Sequence, residues 1–249
     1  MPHFLKLPNL PSGQVSAVAV GEDYADEIAA ALLPFGIKTL SCPRNSDVDK
    51  RLRSHVDLSV FHLGVNQFVL SKSVSNSSFA EELKRMGAEI LVSSSESTSE
   101  YPNDAVLCAL SNGKRVFHNA KFCDAHINNR FQNRLIHVNQ GYAKCAVCLA
   151  SETAAITADT GLSVAMEREG MDVLKIDCGG ITLSGFNEGF IGGASFKIAP
   201  DKLAFTGTLN SNPNKTEIEE FLELHGITAI YLTDKPIFDI GSVIPITQL

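Results

Sequence analysis

Four times along this chain a helix-like amphipathic segment ends in a glycine and runs at once into an apolar, strand-like stretch. The copies are 26–35 with Gly36 and 37–40, 79–86 with Gly87 and 88–92, 162–169 with Gly170 and 171–176, and 217–225 with Gly226 and 227–232. Glycine takes the left-handed conformation that caps a helix, and the β-branched run after it favours a strand. A fifth copy, 125–133 followed by 134–138, carries Asn133 where the others have glycine. Asparagine is the next residue to tolerate that conformation. Upstream of four copies the pattern predicts a hairpin: 58–62 with 67–71, 105–110 with 115–118, 142–150 with 154–157, and 190–198 with 202–206. Asn112-Gly113 and Pro200-Asp201 supply turn chemistry for two of them. The unit is therefore strand–strand–helix–strand, about 40–50 residues long, a length typical of propeller and solenoid repeats.

The two ends depart from the unit in complementary ways. The first copy has a strand (15–20), a helix and a strand but no leading strand, while 237–247 is a strand with no helix behind it. The expected fold is an α/β protein, a closed pseudo-fivefold α/β propeller whose C-terminal strand completes the first blade. Closure of that kind removes sheet edges. An open α/β sheet with irregular connections is the alternative. No linker is visible, since the Ser/Thr-rich stretch 93–99 reads as one surface loop, so residues 1–249 are expected to form a single domain. With 249 residues, 44% of them hydrophobic, the chain can bury a real core. Its net charge of −7 argues against nucleic acid, whose phosphates demand clustered Lys and Arg. No apolar run approaches a membrane span, and the start of the chain shows no secretory signal. Six scattered cysteines fit a reducing cytoplasm.

Two motifs stand beside the repeat: Asn139-Gln140-Gly141-Tyr142-Ala143-Lys144-Cys145 and Gly189-Phe190-Ile191-Gly192-Gly193-Ala194-Ser195. With them the chain resembles an uncharacterised bacterial family given the fold of the guanidine-group-modifying enzymes. Those enzymes include arginine and agmatine deiminases, amidinotransferases and dimethylarginine dimethylaminohydrolases. The resemblance implies a cysteine nucleophile on the last strand, after a glycine-rich lead and two residues before Ser or Thr. Here the lead Gly241-Ser242 and Thr247 are present, but Pro245 stands in the cysteine's place. The histidine that the resemblance places at the head of the fourth hairpin is also missing. Phe190 lies near that position, and no histidine occurs between His137 and His225. The resemblance thus implies the fold without its familiar chemistry, a possible pseudoenzyme.

Other chemistry is thin. Cys145-Ala146-Val147-Cys148 has CxxC spacing but lies in a predicted strand, where residues three apart face opposite ways, and no second pair accompanies it. Buried small hydrophobes are the plainer reading, and neither a metal nor a cofactor is expected. Cys178, in Asp177-Cys178-Gly179-Gly180, sits at a strand end before a glycine pair, where exposed amides suit a reactive thiol, but a lone cysteine with no base nearby in the sequence reads more plainly as structural. The glycines of 187–193 match no nucleotide-binding spacing. His55-Val56-Asp57 reads either as a ligand pair or as a hydrogen-bonded strand start.

The stronger pattern is positional. Polar residues recur where each inner strand begins: Asp57, Asn103 with Asp104, Asn139 with Gln140, Asn187 with Glu188, and Asp239. In a closed propeller these starts converge on one mouth of the central channel, where carboxylates and amides suit a small cationic or amide-bearing metabolite, a guanidinium above all. The same residues also serve as caps of strand ends and turns. Two functions follow from different classes. One is a binder of a small polar metabolite. The other is an enzyme of unknown reaction with Cys178 or Cys145 as nucleophile and Asp104 or Glu188 as partner. A partner-binding module is a third class, and the oligomeric state is not legible.

Overall fold

The computed structural model describes residues 2–249, and among these sixteen strands form five small sheets. In chain order the first unit holds β1 (His3–Phe4), β2 (Val15–Gly21), α1 (Ala25–Leu32) and β3 (Lys38–Cys42). The second has β4 (Val60–Gly64), β5 (Gln67–Leu70), α2 (Ser78–Arg85) and β6 (Glu89–Val92). The third has β7 (Leu110–Ser111), β8 (Val116–His118), α3 (Ala125–Phe131) and β9 (Leu135–His137). The fourth adds a short helical turn, α4 (Ala143–Ala146), before β10 (Val147–Leu149), β11 (Ala154–Thr157), α5 (Thr160–Arg168) and β12 (Asp172–Lys175). The fifth has β13 (Ser195–Ala199), β14 (Lys202–Phe205), α6 (Lys215–Leu224) and β15 (Thr228–Tyr231), and β16 (Ile244–Gln248) ends the chain.

Units two to five share one topology, an antiparallel hairpin whose second strand pairs in parallel with the strand after the helix. The first sheet reaches the same arrangement with a strand from the other end of the chain. β16 pairs antiparallel with β2, Ile244 opposite Ala19 and Pro245 opposite Val18, and β2 pairs in parallel with β3. Proline lacks the N–H a ladder needs, and the register shifts immediately after Pro245. β1, which the repeat does not predict, adds to the outer side of β16 through His3 opposite Gln248.

The repeated glycines behave as their spacing predicts. Gly36, Gly87, Gly170 and Gly226 all have positive φ at helix ends. Asn133 does not: φ is not positive there, and α3 instead tightens into a 3-10 turn over Gln132–Arg134. The leading strands also begin later in the chain than predicted. Residues 56–58 and 103–105 form 3-10 turns, 143–146 a helical turn, and β13 and β16 begin only at Ser195 and Ile244. The CxxC pair is therefore not on one strand, since Cys145 lies on α4 and Cys148 on β10, both buried. The turn wins because it buries Lys144 and Cys145 together, whereas a strand sends neighbouring side chains to opposite faces.

Burial grades across each sheet. Every residue of β4, β10, β13 and β16 is buried, whereas β6, β9, β12 and β15 contain none that is. Each helix buries its apolar face in a cluster that spans two sheets. Phe79 and Leu83 of α2 join Ala19, Leu40 and Ile246 of the first sheet as well as Phe68 of their own. Ile127 and Phe131 of α3 meet Phe61 and Val69 of the second sheet. Leu162 and Met166 of α5 meet Leu110 and Phe117 of the third, and Ile218 and Leu222 of α6 meet Ile156 and Leu174 of the fourth. Ile28 and Leu32 of α1 share a cluster with Phe196, Ile198 and Ala204 of the fifth. Burying each such side chain contributes about 1.5–3 kcal/mol. Among the described residues no helix is long and apolar enough to cross a membrane.

Candidate functional site

The irregular turns that replace the predicted strand starts carry the polar side chains. The 3-10 turn over Val56–Leu58 presents His55 and Asp57, and it is tied down by His55 N donating to Leu52 O (2.9 Å) and Asp57 N to Gly241 O (3.2 Å). Gly241 cannot be otherwise: its φ is +71°, and an added Cβ would stand 2.2 Å from Cβ of His55. The helical turn α4 brings Cys145 to this place, where its Sγ donates to Asp57 Oδ2 at 2.7 Å. Ser242, itself at φ +69°, donates its hydroxyl to the same oxygen at 2.9 Å. Lys144, also buried, donates from Nζ to Ser242 Oγ at 3.1 Å.

Electrostatically this is an expensive cluster. Burial raises the Asp57 carboxyl, an effect that His55, Cys145 and Lys144 oppose and Asp239 reinforces. The Cys145 thiol is pushed well above its ordinary value by burial first and then by Cys108 and Asp57. Within this cluster two buried polar atoms are left without a hydrogen-bond partner, His55 Nε2 and Asp57 Oδ1. His55 and Asp57 are only 3% and 1% exposed, so the missing partners are not simply bulk water.

Above the cluster lies a cavity of about 200 Å³, lined by His55, Tyr142, Cys145, Phe186, Glu188, Phe190 and Asp239 among others. Tyr142 and Phe190 stand 6.3 Å apart, ring centre to ring centre. Asp104, buried in its own 3-10 turn, accepts the Tyr142 hydroxyl, and burial raises the Asp104 carboxyl. Burial, followed by the Asp104 hydrogen bond, raises the Tyr142 phenol far above its ordinary range. A neighbouring cavity of about 260 Å³ shares Glu188 and Phe190 and reaches Cys178, Asp159 and Asp177.

The residues singled out in the sequence therefore divide. Glu188 and Asp239 line the 200 Å³ cavity directly. Asp57 and Asp104 stand one side chain behind it, through Cys145 and Tyr142. Asp239 is at the same time a turn cap, its carboxylate accepting from Phe190 N (2.9 Å) and Gly241 N (2.8 Å). Gln140 turns toward Asp159, donating at 3.0 Å. Asn103, Asn139 and Asn187 are exposed and lie outside the cavity lining. Cys178 is exposed and belongs to the neighbouring cavity. Neither Ser242 nor Tyr142 was a candidate from sequence, and His55 was one only as a ligand partner of Asp57 in His55-Val56-Asp57. What joins them is the meeting of α4, the 55–58 turn and the approach to β16, which no local pattern encodes.

Three comparisons bear on this arrangement. A model of a protein family described as a family of unknown function (DUF6873) matches residues 19–244. No curated protein matches the sequence. Among solved structures, an inosamine-phosphate amidinotransferase from Streptomyces griseus superimposes with a TM-score of 0.61 at 10% identity, covering 98% of this chain and 97% of that one. DDAH from Pseudomonas aeruginosa in complex with citrulline gives 0.53 at 9% identity, over 87% and 91% of the two chains. An agmatine deiminase from C. jejuni gives 0.54 at 9% identity, over 93% and 90%. At such identities the likeness establishes the fold alone.

Proposed function

From a chain that belongs to the DUF6873 family and has the fold of the guanidine-modifying enzymes, we propose a protein that binds a small cationic or amide-bearing metabolite without those enzymes' cysteine–histidine chemistry. One observation carries the reading: Glu188 and Asp239 share a 200 Å³ cavity with the rings of Tyr142, Phe186 and Phe190. Carboxylates match the in-plane donors of a guanidinium or amidine, and aromatic faces accommodate its cationic plane. The volume is below the roughly 300–1,000 Å³ of sites for drug-sized ligands, which suits a small metabolite. Asn103, Asn139, Gln140 and Asn187 form the outer approach in this reading, with Asp57 and Asp104 supporting the floor and wall. Pro245, without a thiol, removes the covalent step.

The same proposal includes one domain, 1–249, closed as a pseudo-fivefold α/β propeller. Support comes from the cyclic packing of helices, each on the preceding sheet and α1 on the fifth, and from β16 standing where the first unit lacks a strand. Six free cysteines support a reducing, cytoplasmic setting. A second reading rests on a thiol, an imidazole and a carboxylate whose ligand atoms lie within 4.8 Å of one another, with Cys145 as nucleophile. It is the weaker, because the thiol donates to Asp57 and burial keeps it protonated.

A thermal-shift screen of metal-free protein against guanidino compounds, polyamines and amino acids tests the proposal. A true ligand raises Tm with the logarithm of its excess, equivalent to about 2.7 kcal/mol at a hundredfold excess over Kd. Glu188→Gln should weaken it about tenfold or more, since a charge-assisted hydrogen bond contributes about 1.5–3 kcal/mol. Arginine, agmatine and dimethylarginine should yield no ureido product. Stabilisation by no cationic compound, or release of citrulline, would defeat the proposal.

A further inference from the structure

We propose that His55, Asp57 and Cys145 form a site for a single divalent metal ion of the zinc class, its open coordination position facing the 200 Å³ cavity. The donor set is one imidazole nitrogen, one carboxylate oxygen and one sulfur, all buried and within 4.8 Å of one another. The imidazole and the sulfur beside the carboxylate select zinc over magnesium or calcium, which prefer oxygen alone. Zinc sits about 2.0–2.3 Å from such donors.

Two independent features point to an occupant rather than to chance clustering. His55 Nε2 and Asp57 Oδ1 are both buried and both lack a partner, although their side chains are almost wholly removed from solvent. A buried polar atom without a hydrogen bond costs about 1–3 kcal/mol, so two in one cluster call for a group that satisfies them together. The scaffold is also preset. Ser242 donates to Asp57 Oδ2, and the backbone bonds of His55 and Asp57 hold their turn, the kind of outer support that orients metal ligands. His55 and Cys145 line the cavity, so an ion has a route in and a side on which an exchangeable ligand would bind. On binding, the Cys145 S–H bond breaks, the sulfur keeps the electron pair, and one proton leaves to solvent. No electron is transferred. The dication is then balanced by one thiolate and one carboxylate.

This inference goes beyond the cation-binding proposal and does not need it, because the test uses the metal alone. Untagged protein, stripped with a chelator, is titrated with Zn²⁺ and with Co²⁺. The expected result is one ion per chain, about one proton released per ion, and a thiolate-to-cobalt charge-transfer absorption. Cys145→Ser should abolish that absorption, and His55→Gln should weaken zinc binding at least tenfold. Cys178→Ser, which removes the exposed thiol, should leave both intact. Zinc-edge absorption on the unmodified protein supplies a readout independent of how the variants fold, with one sulfur and otherwise nitrogen and oxygen neighbours expected. Failure of the folded wild-type protein to retain a stoichiometric ion would overturn the assignment. So would a cobalt band that survives Cys145→Ser or disappears with Cys178→Ser.

Discussion

Two histidines that take no part in the candidate site set the chain's response to acid. His62 is stacked on Phe68 with ring centres 4.3 Å apart, and its Nε2 bonds Val65 O at 2.7 Å. Burial pushes its pKa down to about 4, only partly opposed by the Val65 carbonyl. Burial likewise lowers His118, whose Nε2 lies 2.9 Å from Ala105 O. In the unfolded chain a histidine gains its proton near pH 6.5. Between about 6.5 and about 4 the unfolded state therefore binds more protons than the folded one, and stability must fall as the pH drops through that window. For His62 the full effect is about 3 kcal/mol. Urea midpoints should decline from neutral pH toward pH 5, and His62→Gln together with His118→Gln should flatten the decline. A double variant with the wild-type slope would refute it. Neither burial was legible in the sequence, where His62 and His118 are two of seven histidines.

At the scale of elements, Asp124 joins two that the repeat does not connect. It caps α3 by accepting from His126 N at 2.8 Å, and it gathers the 93–95 segment through Ser93 Oγ (2.9 Å), Ser94 N (2.8 Å) and Ser95 N (3.1 Å). Burial raises its carboxyl, yet those hydrogen bonds outweigh burial and leave the pKa lowered. The stabilisation is thus present above the ordinary aspartate pKa and is lost as the pH falls through the lowered one. Asp124→Asn should cost about 1–3 kcal/mol, read as a lower urea midpoint with an unchanged m-value. An unaltered midpoint would show the serine loop to be free of its anchor. The sequence announced helices and their glycine stops well, because a C-cap is written in one residue. It announced the leading strands poorly. Residues 105–109 and 142–146 are apolar enough for strands, but their backbones turn to satisfy partners far away, as Lys144 N does in donating to Cys108 O at 3.0 Å. The candidate site is built from those turns, which is why so little of it could be read in advance beyond its carboxylates.

Across the whole molecule, the proposed ring makes two stability predictions that form one argument. Cutting the chain after Lys235 removes β16 and leaves β2 with an open edge, so the remainder should fail to fold cooperatively. Leu32→Ala, at the cluster shared by the first and fifth sheets, should cost about 2–5 kcal/mol, as much as Leu83→Ala between the first and second. Chemical denaturation measures both. A truncated protein with unchanged thermal stability, or a Leu32 variant that loses nothing, would favour an open array.

The pairing of β16 with β2 also dictates an order of events during synthesis. Val18 and Pro245 are partners although 227 positions separate them, whereas the other four sheets draw their strands from neighbouring stretches of chain. Contacts over such a span are slow to form, since the loop must close before they contribute. On the ribosome the second to fifth units can assemble as they emerge, while β2 waits for β16. The nascent protein's window of vulnerability is therefore its first sheet, and it closes only when β16 has emerged.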